Sequence, residues 1–150
     1  MVEMSSARYS LPFLAASQAQ KEITHNEALL RIDALLHPVA EAELANPPVI
    51  LAGTDVGKCW LIANSAVGEW QGKGGQIAYW TGGSWRFLTP VEGMRIRNRA
   101  QSVDWVRTAA GWTAPTAIAN LAGGVVVDVE ARAALNALLT RLRMDGTIAT

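Results

Sequence analysis

The chain is poor in the residues from which most active sites are built. Its 150 residues include one cysteine, Cys59, and two histidines, His25 and His37. A single cysteine excludes an intrachain disulfide and any cysteine-based zinc cluster. The histidines have no HExxH spacing and no neighbouring Asp/Glu/His group, so no metal or other cofactor is implied. Residues 72–75, Gly-Lys-Gly-Gly, lack the Ser/Thr and the following helix that a phosphate-cradling P-loop needs, and no nucleophile elbow occurs. Asp55, Glu69, Glu92 and Asp104 are scattered, with no local pattern of a two-carboxylate glycosidase. Charge of one sign is also missing. Thirteen basic residues balance thirteen acidic ones, which removes any general pull towards nucleic acid or an anionic membrane. No apolar run approaches the length of a membrane span, and residues 1–10 lack the basic start and apolar core of a signal peptide. This inventory reads as a protein that is not an enzyme, is made in the cytoplasm and inserts in no membrane.

What stands out instead is tryptophan, with six residues against two tyrosines and two phenylalanines. In a small sheet domain, aromatic rings bury the most area per residue. Trp60, Trp70, Trp80, Trp85, Trp105 and Trp112 are therefore expected to build the core or a subunit interface. The alternative is an open β face that stacks on sugar rings, with Trp80, Trp85, Trp105 and Trp112 as glycan contacts. Cys59, beside Trp60 and Leu61, reads as a buried and inert thiol.

Periodicity divides the chain into helix, strands, helix. Residues 1–24 read as an N-terminal anchoring segment, 25–115 as a helix plus a β-meander, and 116–150 as a linker and a C-terminal helix. Thr24 and Glu27 have the spacing of a capping box, which predicts a helix over 25–36. Leu29, Ile32, Leu35 and Leu36 form its apolar stripe, with Arg31 and Asp33 directed elsewhere. Residues 17–22 would extend that helix upstream if the cap is a kink. His37-Pro38 ends it. Residues 39–44 alternate as one strand with its glutamates on the wet face.

Beyond Gly57 the period becomes two and turn signals are dense. Short strands are expected at 58–63, 76–80, 84–88, 94–98, 103–107 and 112–114, as an antiparallel meander or small sandwich. The hairpin Trp80-Thr81-Gly82-Gly83-Ser84-Trp85 pairs Trp80 with Trp85 across a two-glycine turn of type I′. Residues 105–115 loosely echo residues 80–90, a weak sign of duplication. Arg95, Arg97 and Arg99 share one strand face, read as its solvated side. Residues 125–127 suggest an edge strand. Asp128 is a good N-cap for a helix over 129–144, and Gly146 suits its C′ position. Leu135, Leu138, Leu139 and Leu142 make one stripe of that helix. The fold class is α+β.

One stretch carries a family resemblance. LPFLAASQAQKEITHNEAL, residues 11–29, resembles the opening signature of an uncharacterised family met in tailed phages, prophages and the gene transfer agents of alphaproteobacteria. The GKCWLIA strand, the WTGGSW hairpin and ARAALNALLTRLRMDGTI near the C-terminus match it too, so the likeness covers nearly the whole chain. Cys59 and Trp60 stand where a charged residue and Tyr are commoner, and no long variable fibre region follows. The resemblance implies a virion protein of the tail or baseplate: a tail-fibre, fibre-anchor or baseplate component acting by oligomeric assembly. It implies partnership with other tail or baseplate proteins, and possible contact with a host surface glycan. Leu11, Phe13, Leu14, Gln18, Gln20 and Lys21 are the expected interface residues near one end, and Leu135, Leu138 and Leu142 those near the other. A homotrimer is favoured, because fibre-like relatives suggest three-fold symmetry. The competing function is a carbohydrate-binding module built on the tryptophan face.

Overall fold

The computed structural model describes residues 5–15, 21–123 and 128–150. It is α+β: α1 (Lys21–Leu35), β1 (Val39–Ala40), β2 (Glu43–Leu44), β3 (Cys59–Ile62), β4 (Ile77–Trp80), β5 (Trp85–Leu88), β6 (Arg95–Asn98), β7 (Val103–Thr108), β8 (Gly111–Thr113) and α2 (Val129–Met144). The six strands expected beyond Gly57 all form, within one or two residues of their predicted limits.

Two expectations near the N-terminus fail. Lys21–Ile23 are already helical, so Thr24 lies inside α1 and is not its cap. Residues 39–44 are not one strand. β1 pairs in parallel with β6, whereas β2 pairs in parallel with β3 in the other sheet. The chain therefore crosses between sheets at residues 41–42 and lends a two-residue edge to each. The sheet orders are β1-β6-β7-β8 and β2-β3-β4-β5, both mixed rather than purely antiparallel.

The two sheets repeat one another residue by residue. Cys59 pairs with Tyr79 as Arg95 pairs with Val106, and Leu61 with Ile77 as Arg97 with Asp104. Glu43 meets Leu61 as Val39 meets Arg97. Trp80 meets Trp85 as Arg107 meets Trp112. The lead-in turns correspond as well. Gly57 and Gly93 both sit at φ +85°, and their amides donate to the carbonyls of Trp80 and Arg107, both at 2.8 Å. In the hairpin turns Thr81 Oγ1 donates to the Ser84 carbonyl and Thr108 Oγ1 to that of Gly111, at 2.7 and 3.0 Å. The faint sequence echo is thus a duplicated unit, with Trp112 equivalent to Trp85. Trp105, however, corresponds to Ala78 and not to Trp80.

Side chains alternate faces along a strand, and this fixes how the units stack. Cys59, Leu61, Ile77 and Tyr79 share a core with Ile96, Val103, Trp105 and α1. Trp60, Ile62, Ala78 and Trp85 form a second core on the opposite face, with Trp70 from the 3₁₀ turn Gly68–Trp70. Ile96 is the equivalent of Trp60, so the units stack in the same sense, not face to face. The outer face of the second unit carries Arg95, Arg97 and Asp104 where the first has Cys59, Leu61 and Ile77. A polar outer face ends such a stack as a capping repeat does.

The tryptophan hairpin has the expected Trp80–Trp85 register. Its turn differs: only Gly82 has positive φ, at +93°, the pattern of type II′ rather than I′. Cys59 is buried, as expected, and burial pushes its thiol up to about 12.

Candidate functional site

The apolar stripe expected for α1 is split: Leu35 faces the core and Leu29 is half-buried, while Ile32 and Leu36 face outward, Leu36 at 63% exposure. Leu30 also packs on the core, and Asp33 and Ala34 are fully buried. Asp33 takes the inward position because it receives four donors. These are Ser6 Oγ at 2.5 Å, the amides of Arg8 and Tyr9 at 3.1 and 2.7 Å, and Tyr79 Oη at 3.3 Å. Arg8 then donates its guanidinium to the carbonyls of Asp33, Ala34 and His37 at the C-terminal end of α1. Four donors make a fully buried carboxylate tenable where a lone one is not. Sequence reasoning placed Asp33 on the wet side; its one signal was an aspartate set between Ile32 and Ala34-Leu35-Leu36.

This network holds the N-terminal segment on its own chain. Leu14 uses both backbone groups on the Asn26 side chain, at 2.9 and 3.1 Å, and Leu11, Phe13 and Leu14 are all half-buried. Lys21 is exposed at the start of α1, and Gln18 and Gln20 lie outside the described residues.

α2 is the opposite case. Asp128 caps it, accepting from the Ala131 amide at 2.8 Å. Gly146, at φ +72°, turns the chain after it, and the Thr147 amide reaches the Leu142 carbonyl at 2.9 Å. Between these well-made ends, no residue of α2 is buried. Leu135 and Leu138 are exposed, Leu138 at 53%, and Leu142 is half-buried. A strap lies along the helix through polar contacts: the Leu121 amide with Asn136 Oδ1 at 3.0 Å, Arg132 with the Gly123 carbonyl at 2.7 Å, and Arg143 with Asn120 Oδ1 at 2.8 Å and with the Ile118 carbonyl. The strap adds its own exposed Ile118 and Leu121. α2 joins the sheets through residues 145–149. The Asp104 amide donates to the Gly146 carbonyl at 3.1 Å, and Ala149 packs on the core. The strand expected at 125–127 lies outside the described residues.

The tryptophans do not form an open platform. Trp60 and Trp70 meet Trp85 edge-on at 5.4 and 5.1 Å, both at 83°, and Trp80 tilts on it by 52° at 4.9 Å. Trp85 and Trp105 are buried, which removes them from the expected glycan contacts, while Trp80 and Trp112 are half-buried. Trp112 Nε1 is engaged by the Gly75 carbonyl at 3.0 Å. Trp70 Nε1 is buried with no partner among the described residues. Of the scattered carboxylates, Asp55 pairs with Lys58 and Asp104 with Arg97. No helix among the described residues is long and apolar enough to cross a membrane.

No curated protein matches the sequence. Residues 25–113, from the first half of α1 to the last residue of β8, match the family described as protein of unknown function (DUF2793), which leaves α2 outside the matched span. That match takes in both stacked units and more than half of the chain, and the protein belongs to this uncharacterised family.

Proposed function

We propose that the chain is a structural virion protein of a phage or phage-like particle: a tail-fibre, fibre-anchor or baseplate component that acts by assembly and not by catalysis. The observation that carries this reading is α2, a capped sixteen-residue helix with no buried residue and a leucine face open to water. Leu135 and Leu138 are each about half exposed, so covering what remains of each with a second copy is worth about 1 kcal/mol. The outward Ile32 of α1 and Leu36 just beyond its end supply a second apolar surface for neighbouring tail or baseplate proteins. The N-terminal residues Leu11, Phe13 and Leu14 are partly satisfied within their own chain, so α2 is the principal surface between copies. Attribution to a particle rests on the LPFLAASQAQKEITHNEAL signature, and the preference for a homotrimer on the fibre-like relatives it resembles. The protein would be made in the bacterial host cytoplasm and reside in the tail or baseplate. A host-glycan module would have to rest on Trp80 and Trp112 alone, one in each unit. Quantitative mass spectrometry of purified particles tests the reading. The chain is expected at a fixed copy number that survives a salt wash, and its absence from intact particles contradicts it.

A further inference from the structure

One end of the two-unit stack opens into a cleft of about 550 Å³, inside the roughly 300–1,000 Å³ range of small-ligand sites. Its walls come from four stretches far apart in sequence. Arg8 comes from the N-terminal segment and Glu41 from the crossing between sheets. Lys58 comes from the lead-in to β3, and Arg97, Arg99 and Ser102 from β6 and its turn. Four of these side chains are cationic and one is anionic, in a chain whose net charge is zero.

Existing contacts fix all four cations and pair three of them with a carboxylate, yet leave guanidinium N–H donors free among the described residues. Arg8 is pinned by three backbone carbonyls, which orient the guanidinium but do not neutralise it. Arg99 gives Nη1 to Glu41 at 3.0 Å, and Arg97 gives Nη1 to Asp104 at 3.2 Å and to the Asp145 carbonyl at 3.3 Å. A guanidinium carries five N–H donors in a rigid fork matched to oxyanions. Nε and Nη2 of Arg97 and Arg99 make no hydrogen bond among the described residues. Lys58 is held by Asp55 at 2.6 Å. Asp55 and Asp104 lie outside the cleft wall, but with Glu41 they pair three of the four cations, so the local excess is one positive charge and the recognition rests on the unused N–H donors.

We propose that this cleft binds a multivalent oxyanion, a ligand bearing at least two phosphate or carboxylate groups that bridges the two stacked units. Arg97, Arg99 and Lys58 make the direct contacts, and Arg8 supplies a fixed positive charge in the wall. The site is independent of α2 and of the assembly reading.

Arg95 gives an internal control. It lies on the same face of β6 but outside the cleft. The experiment is calorimetric titration of the full chain with pyrophosphate and with citrate, at low and at raised salt. One saturable site is expected, weakened by salt. Arg99→Ala and Lys58→Ala should each weaken it about tenfold, the scale of one charge-assisted hydrogen bond, and Arg95→Ala should leave it unchanged. Tighter binding of pyrophosphate points to a phosphorylated ligand, and of citrate to a carboxylated one. Arg99 is largely exposed, so its removal spares the fold, and Lys58→Ala provides an independent reading. Failure of both anions to bind at millimolar concentration overturns the proposal. So does an equal loss in Arg95→Ala, which would mean a diffuse surface field and not a site.

Discussion

Ser6 Oγ lies 2.5 Å from Asp33 Oδ1, a buried pair that ties the N-terminal segment to α1 across 27 residues of sequence. Ser6 also accepts from the Leu11 amide at 3.0 Å, and Asp33 serves three further donors. Asp33→Ala would strand a serine hydroxyl and a tyrosine hydroxyl in the interior and unpair two part-buried amides. Each buried group left unpaired costs about 1–3 kcal/mol, so a loss of about 3 kcal/mol or more is expected in urea unfolding. A loss under about 1 kcal/mol, the range of ordinary surface changes, would mean that the N-terminal segment is not docked as described.

Gly57 and Gly93 hold equivalent turns at the same φ, but their surroundings differ. A Cβ at Gly57 would stand 2.8 Å from Ala7 Cβ and 3.1 Å from Arg8 Cγ, whereas one at Gly93 would meet nothing within 4 Å. Gly93→Ala should therefore cost only backbone strain, about 1–2 kcal/mol. Gly57→Ala adds overpacking of a further 1–3 kcal/mol or so. Equal midpoints for the two variants in chemical denaturation would contradict the close approach of the N-terminal segment to this turn.

Trp85 is the ring on which Trp60, Trp70 and Trp80 converge. Removing it with Trp85→Ala should cost about 3–5 kcal/mol, the scale for deleting a buried large aromatic. Thermal unfolding followed by tryptophan fluorescence measures this. A small loss would return the indole to the surface and revive the sugar-stacking reading.

Cys59 sets an alkaline limit on stability. Its thiol is raised from 9.0 to about 12, chiefly by burial, so the folded chain keeps a proton that the unfolded chain releases. The stabilisation is complete below about pH 9 and drains away as pH rises towards 12. Tyr79, raised by burial and by the adjacent Asp33, acts in the same direction above its ordinary 10.0. Urea midpoints should fall between about pH 9 and about pH 10, and Cys59→Ala should flatten that slope. An unchanged slope in the variant would mean that the thiol is not the group responsible.

The strands, the tryptophan register and α2 were legible because each depends on local pattern: period two, a glycine turn, an aspartate cap. α1 itself was legible, but the facing of its stripe was misread in part: of Leu29, Ile32, Leu35 and Leu36, Leu35 packs on the core while Ile32 and Leu36 are exposed. The inward positions went to Asp33 and Ala34, and Asp33 is tolerated there only through donors supplied by distant residues. The split of residues 39–44 was hidden for the same reason, since parallel partners lie far along the chain. The duplication left only a faint echo in the sequence because the equivalent residues are chemically unlike, Leu61 against Arg97 and Ile77 against Asp104. The second unit ends the stack where the first is covered by it, so the pairing is preserved while the faces differ.

The account rests on α2 serving as the surface between copies, and sedimentation of the isolated protein with its Leu138→Asp variant tests this most directly. The leucine is exposed in the single chain, so the substitution should leave the fold intact, with unchanged circular dichroism. The account predicts a stable oligomer, favoured as a trimer, at micromolar concentration, and a folded monomer for Leu138→Asp. A wild-type monomer at that concentration, or a variant that sediments as an oligomer like the wild type, would contradict it.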